Sequence, residues 1–192
     1  MKNCDFYGTI YLEKSMGEGA QKMYQQGELV VYGSHGVCCV TGVEERKVDR
    51  KIVEYLVLSA YGQSGSNFLV PLHNANAMSK LYRVLSKEEW ESLLNQPQLF
   101  QGAWIPEENK RKLCYRELLC GGDRTGLMQM VCTLRKHRQS QLEAGRKLHQ
   151  CDEMFLRDAQ KRLSVEYSVA LGITASQAEK DLCDILDTYE NA

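Results

Sequence analysis

The stretch GELVVYGSHGVCCVTGV, residues 27–43, decides the fold of the first part of the chain. It contains two runs of β-branched and aromatic residues separated by the Gly-Ser-His-Gly segment of residues 33–36, which is the composition of two strands joined by a turn. Three similar runs follow, at residues 53–60, 67–72 and 81–85. Short strands separated by turns at this spacing predict a small antiparallel barrel or sandwich.

Two features between these runs bear on the sheet. Residues 44–51, EERKVDRK, are nearly all charged, and we expect them to form a long hairpin loop. Pro71 lies in the fourth run and cannot donate to a strand ladder, so that run is predicted to be an edge strand or to end there. An edge strand offers backbone groups to a partner strand, although Pro71 and its polar neighbours could instead simply blunt that edge.

Helical signals begin at Ser86. Ser86 and Glu89 have the spacing of a capping box ahead of Trp90, which predicts a short helix with Trp90 in the core. Residues 95–102 are predicted to be a linker, and Pro106 is expected at the first position of the next helix. Further helices are predicted at about 124–142, at 152–171 and, capped by Thr174 or Ser176, up to 186.

The predicted fold class is α+β with two domains, a five-stranded antiparallel β-barrel followed by an all-α helical bundle. Strands precede helices instead of alternating with them, which argues against a parallel sheet. Residues 1–22 are an N-terminal extension, for which disorder is one interpretation. The remaining predicted boundaries are 23–85 for the barrel, 86–104 for a short helix and linker, and 105–192 for the helical domain.

Charge is distributed unevenly along the chain. The net charge is -1, but residues 107–147 hold 10 basic and 5 acidic residues, and residues 148–192 hold 4 basic and 9 acidic residues. A basic block of this kind predicts a surface that contacts phosphates. Nine of these ten basic residues are predicted to contribute to that surface: Lys110, Arg111, Lys112, Arg116, Arg135, Lys136, Arg138, Arg146 and Lys147. Two alternatives are solvated helix faces and a basic block that only pairs with the acidic tail.

Motifs of enzymes, cofactor sites and metal sites are not found in the sequence. It has no phosphate-binding glycine loop, no HExxH and no GxSxG. The eight cysteines form no CxxC pair, and adjacent Cys38 and Cys39 on a strand would point to opposite faces, so no metal is predicted. An enzyme would have to use Cys38 or His35, yet the apolar neighbours of Cys38 are expected to raise its pKa. We therefore predict no enzymatic activity, no cofactor and no small-molecule substrate.

The chain is predicted to be cytoplasmic, with no membrane partner. No apolar run approaches the roughly 20 residues of a membrane span, and the N-terminus lacks the charged and apolar segments of a signal peptide. Scattered cysteines among apolar neighbours are typical of buried thiols in a reducing compartment.

Several motifs resemble the CarD/CdnL family of bacterial RNA-polymerase-binding transcription regulators, whose interaction domain is similar to one in transcription-repair coupling factors. The first domain carries three of them: GELVVYGSHGVCCVTGVEE at 27–45, YLVL at 55–58 and VPLHNA at 70–75. The helical part carries Trp104, CGGD at 120–123 and LEAGRKL at 142–148. The resemblance covers roughly residues 23–187, and the order of the motifs is more specific than any one of them.

The resemblance implies a Tudor-like five-stranded barrel that binds the RNA polymerase β subunit by strand pairing. By position, Arg46 and Val48 fall on the family's polymerase-contacting strand, and Leu69 falls on the neighbouring strand. Some relatives have an arginine where this chain has Leu69, which implies a more apolar contact here.

The resemblance also implies that the helical domain meets the minor groove of promoter DNA near the −10 region and so modulates open-complex stability. From the basic residues themselves, we expect DNA binding to be mostly independent of sequence. Trp104 matches the position of a wedging tryptophan, and Arg146 and Lys147 match a basic pair that faces phosphates. From the residues alone, Trp104 is either such a wedge or a plug that packs at the domain junction. The alternative function is a protein–protein adaptor without nucleic-acid binding.

Overall fold

The computed structural model describes residues 24–62 and 65–190, so the predicted extension at 1–22 lies outside the described residues. The fold is α+β, with a five-stranded antiparallel sheet and six helices in the described part of the chain. The chain divides into two compact units, one ending at Arg83 and the other beginning at Val84.

The first unit contains the sheet. Its strands lie in the order β4-β3-β2-β1-β5, with all neighbours antiparallel. The bounds are β1 Leu29–Tyr32, β2 Val37–Val48, β3 Lys51–Ala60, β4 Asn67–Pro71 and β5 Leu81–Arg83, with a short helix α1, Ala75–Met78, between the last two strands. The prediction that Pro71 marks an edge strand is confirmed, because β4 ends the sheet. Barrel closure would need a β4–β5 ladder, and the described residues contain none.

The core of this unit follows from strand alternation. Val40 pairs with Leu58, and Leu56 pairs with Val70, and all four side chains are buried on one face of the sheet. A bulge between Val40 and Gly42 shifts the register of β2 by one residue. The strand therefore keeps its apolar residues facing the core on both sides of the bulge.

The expected hairpin loop at residues 44–51 is wrong. These residues continue β2 and β3 in register, and Glu44 pairs with Tyr55 while Val48 pairs with Lys51. The turn is formed by Asp49 and Arg50 alone, with φ of 50° and 65°. Positive φ at both central residues is the signature of a tight two-residue hairpin turn. The buried half of the hairpin fixes the register, and that register overrides the weak strand propensity of charged residues.

The second unit is helical. Its helices are α2 Lys87–Leu94, α3 Glu108–Cys120, α4 Arg124–Glu143, α5 Gln150–Leu171 and α6 Ala175–Glu190, and a 3-10 turn spans Pro97–Phe100 within the predicted linker. The predicted capping box is confirmed, since the Ser86 and Glu89 side chains each accept from the other's backbone N–H. Trp90 is fully buried, as predicted.

Two helix starts refine the sequence prediction. Pro106 is not the first residue of α3, because Glu107 is the N-cap residue and the helix begins at Glu108. For α6, Thr174 rather than Ser176 is the cap, since the Thr174 hydroxyl accepts from the Gln177 N–H at 3.2 Å. Both helices nevertheless start within two residues of the predicted position.

Buried arginines organise the turns of the helical unit. Arg124 donates to Glu166 at 2.8 Å, and the same carboxylate accepts from the backbone N–H of Leu85 at 3.2 Å. Arg162 donates to the carbonyl oxygens of Leu119 and Gly121, where α3 ends. Because these carbonyls lack partners within their helix, the Arg162 guanidinium satisfies them and fixes the end of α3.

Candidate interaction sites

The distal half of the β2–β3 hairpin, residues 44–54, forms a segment that we call the arm. β1 pairs with β2 only over Val37–Cys39, and β4 pairs with β3 only from Tyr55 to Ser59. In the ladders of the described residues, the distal strands of the arm therefore pair only with each other. Strand edges of this kind present backbone N–H and C=O groups that another strand can join.

The three residues predicted to contact polymerase lie on one face of the sheet. Arg46 is opposite Val53, and Val48 is opposite Lys51. Leu69 is opposite Val57, which is four residues along β3 from Val53 and so points the same way. This face is opposite to the one that carries the buried core, and we call it the outer face. Arg46 and Val48 are exposed, and Leu69 is half-buried.

The other face of the arm provides an internal comparison. Lys47 is opposite Ile52 there, on the continuation of the core face. Ile52 is 69% exposed, more than Val48 at 42%. The outer face of the arm presents two aliphatic side chains, Val48 and Val53, beside Arg46, whereas the other face presents Ile52 beside Lys47.

Arg46 has a local partner on the outer face. Its Nε donates to Glu44 Oε1 at 3.0 Å, and both side chains are about half exposed. An exposed ion pair of this kind contributes at most about 1 kcal/mol and exchanges readily for a stronger partner. The ion pair therefore orients the guanidinium of Arg46, and the group can still bind a partner.

A comparison with protein families matches residues 24–82 to the model described as the CarD-like/TRCF RID domain. Residues 24–82 are a CarD-like/TRCF RID domain. This family consists of protein-interaction domains of transcription factors that bind RNA polymerase, not of enzymes. The comparison with curated proteins gave no significant match. The RID domain includes the whole five-stranded sheet except Arg83, and thus the whole arm.

A second cluster lies in the helical unit, beyond the RID domain, around Trp104. The imidazole of His137 stacks on the indole of Trp104 with ring centroids 3.6 Å apart. The guanidinium carbon of Arg111 is 4.2 Å from the centroid of the same indole. Trp104 is partly buried and packs against the helical core. These contacts hold the indole of Trp104 against the helical unit.

Arg111 is an interior residue, although the sequence prediction includes it in the basic surface. It is 5% exposed, and its Nε and Nη2 each donate to Asp152 at 3.0 Å. Its Nη1 also donates to the carbonyl oxygen of Ile105 at 2.8 Å. The Arg111 guanidinium therefore connects the segment before α3 to α5, and it is not part of the exposed basic surface.

His137 titrates in this cluster. Burial lowers the pKa of His137, and the cations Arg111 and Arg146 lower it further, while Asp152 acts in the opposite direction. Arg146 is exposed, and its positive charge is one of those that act on the pKa of His137. Trp104, His137 and Arg146 are the part of this cluster that solvent reaches.

The other predicted basic residues face several directions. On α4, Arg135 donates to Asp187 of α6, Lys136 to the Phe100 carbonyl, and Arg138 to Glu153 of α5. On α3, the Lys112 ammonium donates to Glu108 of the same helix. The members that are exposed and have no side-chain hydrogen-bond or ion-pair partner among the described residues are Lys110, Arg116, Arg146 and Lys147.

Three further observations concern metal ligands, the Cys38 thiol and membrane spans in the described part of the chain. It contains no group of three or more His, Cys, Asp or Glu side chains that could hold a metal ion. Burial, together with the neighbouring Cys39, raises the pKa of the Cys38 thiol to about 11, as its apolar neighbours predicted. No helix among the described residues is long and apolar enough to cross a membrane.

Sequence reasoning missed His137 and Asp152 as members of the Trp104 cluster. One sequence feature of Asp152 could have been used, because it lies in the first turn of a predicted helix. A carboxylate there is favourable for the helix and can also pair with a cationic side chain. His137 had none, because it lies 33 residues from Trp104 and no local pattern links them.

Proposed function

We propose that this protein is a transcription regulator that binds the β subunit of RNA polymerase through the arm and the outer face of its RID domain. The observation that carries the proposal is that Arg46, Val48 and Leu69 share one face, next to strand edges that no other strand covers in the described ladders. Pairing of a partner strand would supply affinity through backbone hydrogen bonds, and the outer-face side chains would supply specificity.

Binding of the full-length chain to isolated β subunit tests this proposal. The outer-face variant Arg46→Glu/Val48→Asp is expected to weaken binding at least about tenfold, because it places carboxylates in the contact. The matched control is Lys47→Glu/Ile52→Asp on the opposite face of the same arm, which should keep most of the affinity. An equal loss in both variants, or none in either, would contradict an outer-face contact.

We also propose that the helical unit contacts promoter DNA beside Trp104 and thereby modulates open-complex stability. The support is the aromatic stack, the positive charge of exposed Arg146 that acts on His137, and exposed Lys147, which follows Arg146 in the chain. In this proposal Arg146 and Lys147 neutralise phosphates in a sequence-independent way. Trp104 would meet the minor groove only after leaving its contacts with His137 and Arg111.

Open-complex lifetime measured on one promoter tests the DNA contact. Trp104→Ala should shorten the lifetime and leave binding to the β subunit unchanged. The adaptor alternative without a nucleic-acid role predicts no change in lifetime, and no salt-dependent DNA binding by the full chain.

A further inference from the structure

The end of the α4–α5 pair that carries the connecting loop has a groove of about 570 Å³. Leu142 of α4 is 55% exposed and Met154 of α5 is 48% exposed, and both line this groove. Single exposed apolar side chains need no explanation, but two that line the same concave surface indicate a contact region.

The groove walls have the spacing of helix ridges. On α4, Arg138 and Leu142 are one turn apart. On α5, Gln150, Met154 and Arg157 follow one side of the helix at the i, i+4, i+7 spacing. The α5 wall is therefore about two turns, or roughly 10 Å, long. A trough between two neighbouring helices is the surface into which the side-chain ridge of a third helix packs.

The rim of the groove is cationic. Arg138, Lys147 and Arg157 line it, against the single carboxylate of Glu153, which accepts from Arg138 at 3.4 Å. The lining residues thus have two more positive than negative charges. Phosphates could neutralise this excess, but they would leave Leu142 and Met154 in water. A helix with apolar residues on one side and carboxylates beside them satisfies both features.

We propose that this groove binds an acidic amphipathic helix of a partner protein. Apolar side chains of the helix would cover Leu142 and Met154, and its carboxylates would pair with Lys147 and Arg157. The proposal does not depend on polymerase binding by the arm, and it shares only Lys147 with the proposed DNA contact.

Fluorescence anisotropy with the full-length protein tests the groove. The probe is a labelled helical peptide of roughly four turns with leucines on one side and glutamates beside them. Leu142→Ser/Met154→Ser should weaken its binding at least about tenfold through lost apolar contact. The matched control is Leu113→Ser on α3. Leu113 is 59% exposed and lies outside the groove, so this variant should bind the peptide like the parent protein.

Charge is tested separately from apolar contact. Arg157→Glu should weaken binding of the acidic peptide severalfold. It should strengthen binding of a peptide in which every glutamate is replaced by lysine. Because the Arg157 side chain is 71% exposed and its ion pair is with neighbouring Asp158, this variant keeps the proposal testable even if the double variant folds poorly.

Several outcomes would overturn the proposal. One is no saturable binding of the acidic peptide, and another is equal binding by the Leu142/Met154 variant and the parent protein. Three other occupants of the groove are DNA, an anionic membrane surface and a second copy of the chain. Binding of the full chain to a DNA duplex, its binding to anionic vesicles and its self-association are therefore measured as well. The proposal would be overturned if any of these were lost in the Leu142/Met154 variant and retained in Leu113→Ser.

Discussion

The imidazole of His137 lies nearly parallel to the indole of Trp104, with 3.6 Å between the ring centroids and 19° between the planes. The stack joins the linker before α3 to the C-terminal half of α4. Because Arg111 contacts the same indole, any movement of Trp104 toward DNA must exchange two favourable contacts for new ones.

Burial of His137 is expected to make the stability of the helical unit dependent on pH. Burial lowers the pKa of His137 below its ordinary value of 6.5. As the pH falls, His137 is therefore protonated in the unfolded chain at a higher pH than in the folded chain. Stability contributed by neutral His137 is therefore complete above about pH 6.5 and is lost as the pH falls toward the folded pKa.

His137→Gln should reduce this pH dependence, measured by urea unfolding at several pH values. It should also cost about 1 kcal/mol at neutral pH through the lost aromatic pair. His73→Gln is the control, because His73 lies in the other unit and its side chain is 74% exposed. An unchanged pH profile in His137→Gln would show that another group is responsible.

The buried pair of Arg111 and Asp152 should be strongly sensitive to removal of either partner. Asp152→Ala leaves the Arg111 guanidinium buried without its counter-charge, and we expect a loss of about 3–5 kcal/mol in the free energy of unfolding. The exposed pair of Arg157 and Asp158 is the comparison, and Asp158→Ala should cost less than about 1 kcal/mol. Similar losses in both variants would argue against the buried geometry.

Gly102 has no room for a side chain. A Cβ there would lie 2.5 Å from the Gln129 carbonyl oxygen and would also collide with Thr133 Oγ1. Gly102→Ala should therefore displace the linker from α4, lower the unfolding free energy by about 1–3 kcal/mol and change Trp104 fluorescence. Ala103→Ser, at an exposed neighbouring position, should change neither quantity.

The proposed DNA contact makes a quantitative prediction about salt. The logarithm of the DNA-binding constant should fall linearly with the logarithm of salt concentration, and Arg146→Ala and Lys147→Ala should each reduce that slope by about one. Lys161→Ala, an exposed lysine on α5, should leave the slope unchanged. A uniform effect of all three substitutions would indicate that only net charge matters.

The apolar pattern was sufficient to predict most of the fold. Alternation in residues 27–43 and capping at Ser86 are local signals, and the strands and helices that they mark are present. The arm was not predictable from local sequence, because EERKVDRK has the composition of a loop. Its strand register is imposed by pairs such as Val40 with Leu58, inside the buried half of the same hairpin.

The basic block shows the limit of counting charges. The sequence identified its residues, but not where each side chain points. Arg111 turns inward because Asp152, 41 residues later, lies beside it in the folded chain. Arg135 similarly meets Asp187, 52 residues away. Such partners depend on helix packing, which composition and periodicity do not specify.

The charged composition of the arm has a consequence for solubility. Uncovered strand edges are sites where identical molecules can pair and aggregate. Seven of the eight residues at 44–51 are charged. If the arms of two molecules paired edge to edge, these side chains would lose part of their hydration, which costs free energy. Replacing Lys47 and Lys51 by threonine would favour strand geometry and at the same time remove this protection, so a more regular hairpin should be the more aggregation-prone protein.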